Sequence, residues 1–396
     1  MVDDELVGEK VAQAEERLAT LDLDCWLTVA RETTEVSDPA LDLVCGFDVV
    51  WETAVFVTPD GANHVVIGRY DAPSAEDLGV YDVHPYDESF EEAFLETVER
   101  IDPDSIGVNY DETVPAADGL THGLYRRLED LFVGTAYEGR LESASPVMTE
   151  LLARKTPTEM DQIRKAATET EALLAEATAA WTPDWTEAEF ASYLYDRMRE
   201  EGYGSAWSWD YCPTVHAGGD APVGHTLPGD RTLPPGEVLH VDFGVRRAGY
   251  AADLQRLYFY SGPDGLEPPA DLQAAFEDVR AAIDATFDSL EPGAVGHEVD
   301  AAAREELTGR GWPEYKHATG HAVGRNAHDV GALLGPRWDR YGDRPDREVR
   351  PGEIYMLELG VETEWGYLGG KEMVEVTDDG ATYVVEPQEE FRVLEE

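Results

Sequence analysis

Val241-Asp242-Phe243-Gly244-Val245-Arg246-Arg247-Ala248-Gly249-Tyr250-Ala251-Ala252-Asp253-Leu254 sets two aspartates eleven residues apart, one on each side of a turn. Glu237–Gly244 has strand character, Arg246–Gly249 can reverse the chain, and Tyr250–Phe259 returns as a second strand. A turn centred between Arg247 and Ala248 would place Asp242 and Asp253 opposite each other in an antiparallel pair. Opposed side chains stand about 4.5–5.5 Å apart at Cβ. Two carboxylates that close repel unless a cation or a proton separates them. Alone, the pair is more simply read as two solvated aspartates, because 83 of 396 residues are acidic.

Histidine is the more informative residue. Ten occur in the chain, and three fall in one stretch, His317-Ala318-Thr319-Gly320-His321 followed by His328-Asp329. Neutral imidazole is the commonest nitrogen ligand for transition metals. No Glu follows His317, so this is not the two-His-plus-Glu helical motif of zinc proteases. Further on, Met356-Leu357-Glu358-Leu359-Gly360 buries a carboxylate in an apolar run, which is costly unless the group is paired or metal-bound. In Gly369-Gly370-Lys371-Glu372-Met373-Val374, Glu372 opens another apolar strand, and a surface pair with Lys371 is its plainer reading. Together Asp242, Asp253, His321, Glu358 and Glu372 make a ligand set for two divalent ions about 3.5–4 Å apart. Oxygen-rich ligation with one nitrogen favours manganese, cobalt or iron over structural zinc.

Composition limits the surroundings. Lys plus Arg is 30 against 83 Asp plus Glu, a formal net charge of −53 that would repel nucleic acid and anionic membranes. Only five lysines occur: Lys10, Lys155, Lys165, Lys316 and Lys371. A carboxylate-rich, lysine-poor surface suits concentrated salt, where the Debye length falls to about 3 Å and self-repulsion is screened. A halophilic source is therefore expected. Cys25, Cys45 and Cys212 form no disulfide framework, and no apolar run approaches the ~20 residues of a membrane span. The N-terminus lacks a charged-then-apolar leader. A cytoplasmic protein is expected.

At 396 residues the chain suits two domains. The first, residues 1–145, alternates helical signals (Asp4–Leu21, Ser89–Ile101, Ala116–Leu131) with strand signals (Cys25–Ala30, Val49–Val57, His64–Ile67, Ser105–Asn109). In the second, residues 146–396, Thr156-Pro157-Thr158-Glu159 is a capping box with proline in the first turn, opening a helix to about Ala180. Further helices are predicted from about Thr186 to Glu201, over Pro269–Leu290 and over Gly296–Gly309. Strands are predicted around Glu353–Leu359, Met373–Thr377 and Thr382–Val385.

The order Asp, Asp, His, Glu, Glu is similar to that of the pita-bread metallopeptidases, family M24, which include Xaa-Pro dipeptidases, aminopeptidases P, methionine aminopeptidases and creatinase-like proteins. The matching stretches are Val241-Asp242-Phe243-Gly244, Asp253-Leu254-Gln255-Arg256, His317 through Asp329, and Arg350-Pro351-Gly352-Glu353 before Glu358. Ala153 through Glu159 resembles the family's lead-in to its first catalytic-domain helix. The resemblance implies an α+β pita-bread catalytic domain preceded by an α/β creatinase/prolidase-like N-terminal domain. It implies two divalent metal ions, manganese first, with cobalt, iron or zinc as alternatives. Asp242 would chelate one ion, Asp253 and Glu372 would bridge both, and His321 and Glu358 would bind the other. Glu358 would also take the proton of a metal-bound water. His225 and His328 would act on the substrate and its developing charge, and His317 would lie in or behind the substrate pocket. The implied substrate is a small peptide with proline at its second position, cut by a dipeptidase or aminopeptidase, commonly a homodimer.

Two positions depart from the family pattern. Gly370 stands where an arginine is common, which affects how a substrate end group is held, and Leu359 replaces a proline. Trp207-Ser208-Trp209-Asp210-Tyr211 either lines the pocket or packs in the core. Two other functions use the same fold: hydrolysis or lysis of a small non-peptide molecule, and protein binding by a catalytically inactive domain.

Overall fold

A computed structural model describes residues 4–33, 38–222, 224 and 226–395. The chain divides into two compact units, Met1–Leu152 and Ala153–Glu396. The helix Ser145–Ala153 lies in the first except for its last residue, and Lys10, on the helix Asp4–Leu18, donates from Nζ to its Leu151 carbonyl. No helix among the described residues is long and apolar enough to cross a membrane.

In the first unit a six-stranded sheet runs in the order Asp82–Tyr86, His64–Gly68, Thr53–Val57, Cys25–Ala30, Ile106–Val108, Leu141–Ser143. Cys25–Ala30 and Thr53–Val57 are buried along their length, so they read as near-continuous apolar runs. The edge strand Asp82–Tyr86 is half-buried and contains Pro85, so no apolar run announces it. Helix Phe90–Ile101 lays Phe94 against Phe56 of the sheet, and helix His122–Phe132 packs Phe132 on Phe94.

In the second unit the main path of the sheet runs Leu333–Leu334, Gly320–Ala322, Ile354–Thr363, Gly366–Thr377, Leu254–Tyr260, Val238–Phe243, Thr214–Ala217. Helix Ala270–Ser289 covers one face, where Leu272, Phe276, Val279 and Ile283 meet Leu357, Leu359, Leu368, Val374 and Val376. The sequence signals at helix ends are met. Thr156 and Glu159 form the capping box of Pro157–Ala180. Thr186 and Glu189 form that of Glu187–Glu201, which ends on left-handed Gly202.

The turn that decides the register sits one residue further on than expected. Arg247 pairs with Tyr250 across Ala248 and Gly249, which have φ of 48° and 86°, the two positive values of a type I′ hairpin. Asp242 is therefore paired with Gln255 rather than Asp253. A displacement of two residues leaves a side chain on the same face of a strand. Asp253 consequently stays beside Asp242.

Candidate active site

The pairing of four strands builds one row of side chains. Glu358 pairs with Lys371, Lys371 with Gln255, and Gln255 with Asp242. Directly paired residues of adjacent strands share a face. This face is the one turned away from helix Ala270–Ser289. His321 joins from the neighbouring strand Gly320–Ala322, and Asp253 from the start of the Gln255 strand.

Lys371 stands at the centre of the group. Its Nζ lies 3.1 Å from Asp253 Oδ1, 3.2 Å from Asp242 Oδ2 and 3.3 Å from Glu358 Oε2. The ring of Trp207 lies 5.6 Å from the same ammonium, so this tryptophan borders the site. Trp209 instead packs against Tyr195 and Arg199 and is exposed. Gln255 Nε2 donates to Asp242 Oδ2 at 3.0 Å.

Burial alone would raise every carboxylate here. At Asp242 and Glu358 burial is outweighed only by several groups acting together, the Lys371 charge first, then His240 at Asp242 and His321 at Glu358, and both are held below the usual carboxylate range. Asp253 goes the other way. Burial, with the negative charges of Asp242 and Glu358 beside it, pushes it well above that range despite Lys371. Burial opposes the Lys371 charge too, but its three carboxylates hold the ammonium protonated.

His321 Nε2 lies 3.7 Å from Asp253 Oδ2 and 3.8 Å from Glu358 Oε1. Burial lowers its pKa to about 4, so the ring is neutral at ordinary pH. Nδ1 lies 3.3 Å from the Ala322 carbonyl, a contact that calls for its protonated form and leaves the lone pair on Nε2. Among the described residues, neither His321 Nε2 nor Asp242 Oδ1 has a hydrogen-bond partner, although both are buried. Each is a buried acceptor left without a donor, beside other carboxylates.

Glu372 does not join the group. It pairs with Leu357, on the helix-covered face, because alternate residues of a strand point to opposite sides. There Arg280 Nη1 donates to its Oε1 at 3.1 Å, the Gln388 N–H donates to the same oxygen at 2.8 Å, and Arg256 Nη1 lies 3.2 Å from Oε2. Burial raises its pKa even so. This corrects the five-ligand expectation: the side chain of that segment facing Asp253 and Glu358 is Lys371. The residues do not fit a two-ion centre. Glu372 is on the wrong face, and an ammonium fills the space between three of the carboxylates. Among the described residues, the one group whose His, Cys, Asp or Glu ligand atoms all lie within 4.8 Å of one another is His64, Asp82 and His84 of the first unit.

The predicted histidines are placed unevenly. His328 is exposed and stacks on His321, ring centres 4.2 Å apart. His317 is exposed, packs edge-on to Tyr315 and has its carbonyl bonded to Arg304. His225 lies outside the described residues. Lys371, Gln255 and His240 had no expected place in the site. His240, fully buried, sits edge-on to Tyr367 and stacks on His216. Gly369 makes that corner possible: a Cβ there would fall 2.4 Å from Gln255 Oε1 and 2.8 Å from His240 Nε2.

Comparison with known proteins gives concordant matches. The sequence model of metallopeptidase family M24 matches residues 161–378. A probable dipeptidase, PepE, of Mycobacterium tuberculosis is 29% identical over 245 residues, 61% of this chain and 60% of that relative. The matched stretch thus spans less than two thirds of that relative's length. A Xaa-Pro dipeptidase of Lactobacillus delbrueckii is 26% identical over 273 residues, 69% of this chain and 68% of its own. Among solved structures, the X-Pro aminopeptidase of Thermotoga maritima superposes with a TM-score of 0.76 at 19% identity, covering 96% of this chain and 99% of that one. The Xaa-Pro dipeptidase of Bacillus anthracis gives 0.73 at 20%, covering 98% and 100%. At such identities the likeness is one of fold, and that fold is the α+β pita-bread type.

Proposed function

The chain belongs to metallopeptidase family M24, and from that premise we propose that it is a hydrolase of Xaa-Pro peptide bonds. The observation that supports this is the convergence of Asp242, Asp253, His321 and Glu358 in one buried row at the centre of the sheet. The family implies divalent metal. A single ion would be held by His321 with Asp253 and Glu358, and manganese suits that oxygen-rich set. Once bound, such an ion supplies an acidified water and a Lewis acid.

The chain's own residues have separate tasks. Glu358 is ionised and half-buried, so it can take a proton from an attacking water and pass it to the leaving nitrogen. Lys371 holds Glu358 in that state. His328, exposed beside His321, is the imidazole an entering peptide meets. His225 and His317 remain proposed as substrate contacts.

The test is an assay of manganese-loaded protein in molar KCl against Xaa-Pro dipeptides and longer Xaa-Pro peptides. The expected result is hydrolysis that chelation abolishes. No cleavage of either class would overturn the reading. It would favour a non-peptide substrate or a binding role, the second reading that the ammonium at the centre of the site supports.

The composition supports a halophilic, intracellular setting. The net charge is −53, and Cys25, Cys45 and Cys212 are free and buried. Screening by molar salt should then stabilise the fold, raising the melting temperature by roughly 10 °C between 0.1 M and 2 M KCl. A flat or falling melting temperature across that range would contradict the halophilic assignment.

A further inference from the structure

We propose that Lys371 is a resident cation of the active site, standing where one of two metal ions would stand, so that this chain binds one divalent ion rather than a pair. Three observations carry it. The first is position. Lys371 holds the place in the row expected for Glu372, facing Glu358 across one strand boundary and Gln255 across the other.

The second is contact. An ammonium at 3.1–3.3 Å from both oxygens of Asp253 and from one oxygen each of Asp242 and Glu358 occupies the space a bridging ion needs. On that face its strand neighbours are Gly369, which has no side chain, and Met373, so neither offers a replacement carboxylate.

The third is ligand number. A two-ion centre built on this set needs four carboxylates. Here only Asp242, Asp253 and Glu358 face the ammonium, and the fourth, Glu372, lies on the opposite face of the sheet. The unpartnered His321 Nε2, with Asp253 Oδ2 and Glu358 Oε1 at 3.7 and 3.8 Å, marks the side on which the single ion binds.

This inference concerns ion count and stands apart from the choice of substrate. Absence of Xaa-Pro cleavage would leave it intact, and a wrong ion count would leave cleavage intact.

The test uses the full chain, stripped with chelator and loaded with Mn2+ alone in molar KCl. Loosely held surface ions are removed by gel filtration in the same buffer. Retained manganese is then counted by mass spectrometry, and its paramagnetic resonance spectrum is recorded. The wild type should retain one ion per chain, with the spectrum of an isolated Mn2+. Lys371→Glu, which supplies the absent carboxylate and removes the ammonium, should retain two, with the spectrum of an exchange-coupled pair. Two coupled ions in the wild type, none at all, or no gain in the variant would each overturn the proposal. Should Lys371→Glu fail to fold, the wild-type count still decides. Lys371→Met then adds a second reading: it should gain more melting temperature from Mn2+ than the wild type gains.

Discussion

His321→Ala should abolish retained manganese and lower turnover of Xaa-Pro peptides by roughly a hundredfold or more, with the fold preserved. Even residues that merely orient metal ligands contribute about ten- to a hundredfold, so a ligand itself should contribute at least the upper figure. The imidazole is the one nitrogen donor of the row. It is neutral, its Nε2 has no hydrogen-bond partner among the described residues, and it points between Asp253 and Glu358. The fold should survive because little else depends on the ring. Nδ1 meets only the adjacent Ala322 carbonyl, and the strand's backbone pairing with Leu333 and Met356 needs no side chain. Turnover and bound metal are measured together, with circular dichroism as the check on folding. Full turnover in the variant would remove His321 from the chemistry, and loss of the circular dichroism signal would show that the ring is needed for structure first.

Much of this was legible in the sequence, and what was not has a single physical cause. Residue identity and spacing located Asp242, Asp253, His321 and Glu358, because carboxylates inside apolar strand runs and clustered histidines stand out against background. Helix starts were legible through Thr156 and Thr186, whose side chains cap the first turn locally. Strand register is not local. It put Gln255, not Asp253, opposite Asp242, with no change of face, because the displacement was even. At Glu372 the displacement was odd, and the face changed. A signal existed: Glu372, Val374 and Val376 share one parity, so the carboxylate runs in phase with two core valines, whereas Lys371 and Met373 share the other. The rarity of lysine was a second signal, since one of only five occupies this position. Gly369 and Gly370 hid the rest by resembling a strand break, although the strand Gly366–Thr377 passes straight through them.

Glu372→Ala separates the two assignments of that carboxylate. As a metal ligand its loss would remove bound manganese and turnover at little cost in stability. As the partner of Arg256 and Arg280 its loss should destabilise the fold and leave the metal in place. The second outcome is expected. Arg256 is fully buried and the Arg280 side chain is 13% exposed, and removing one partner of a buried charge typically costs about 3–5 kcal/mol. Glu171 still meets Arg256 and Asp284 still meets Arg280, so the lower end applies, about 3 kcal/mol, or roughly 6–12 °C in melting temperature. Below that temperature manganese content and turnover should stay near wild type. Glu372→Gln should fall between, because its amide oxygen can still accept from the Gln388 N–H while the charge facing the two guanidinium groups is gone. An unchanged melting temperature with lost manganese would instead put Glu372 on the face of Asp253 and Glu358. The row of paired residues from Glu358 through Lys371 and Gln255 to Asp242 would then have to be redrawn by one position.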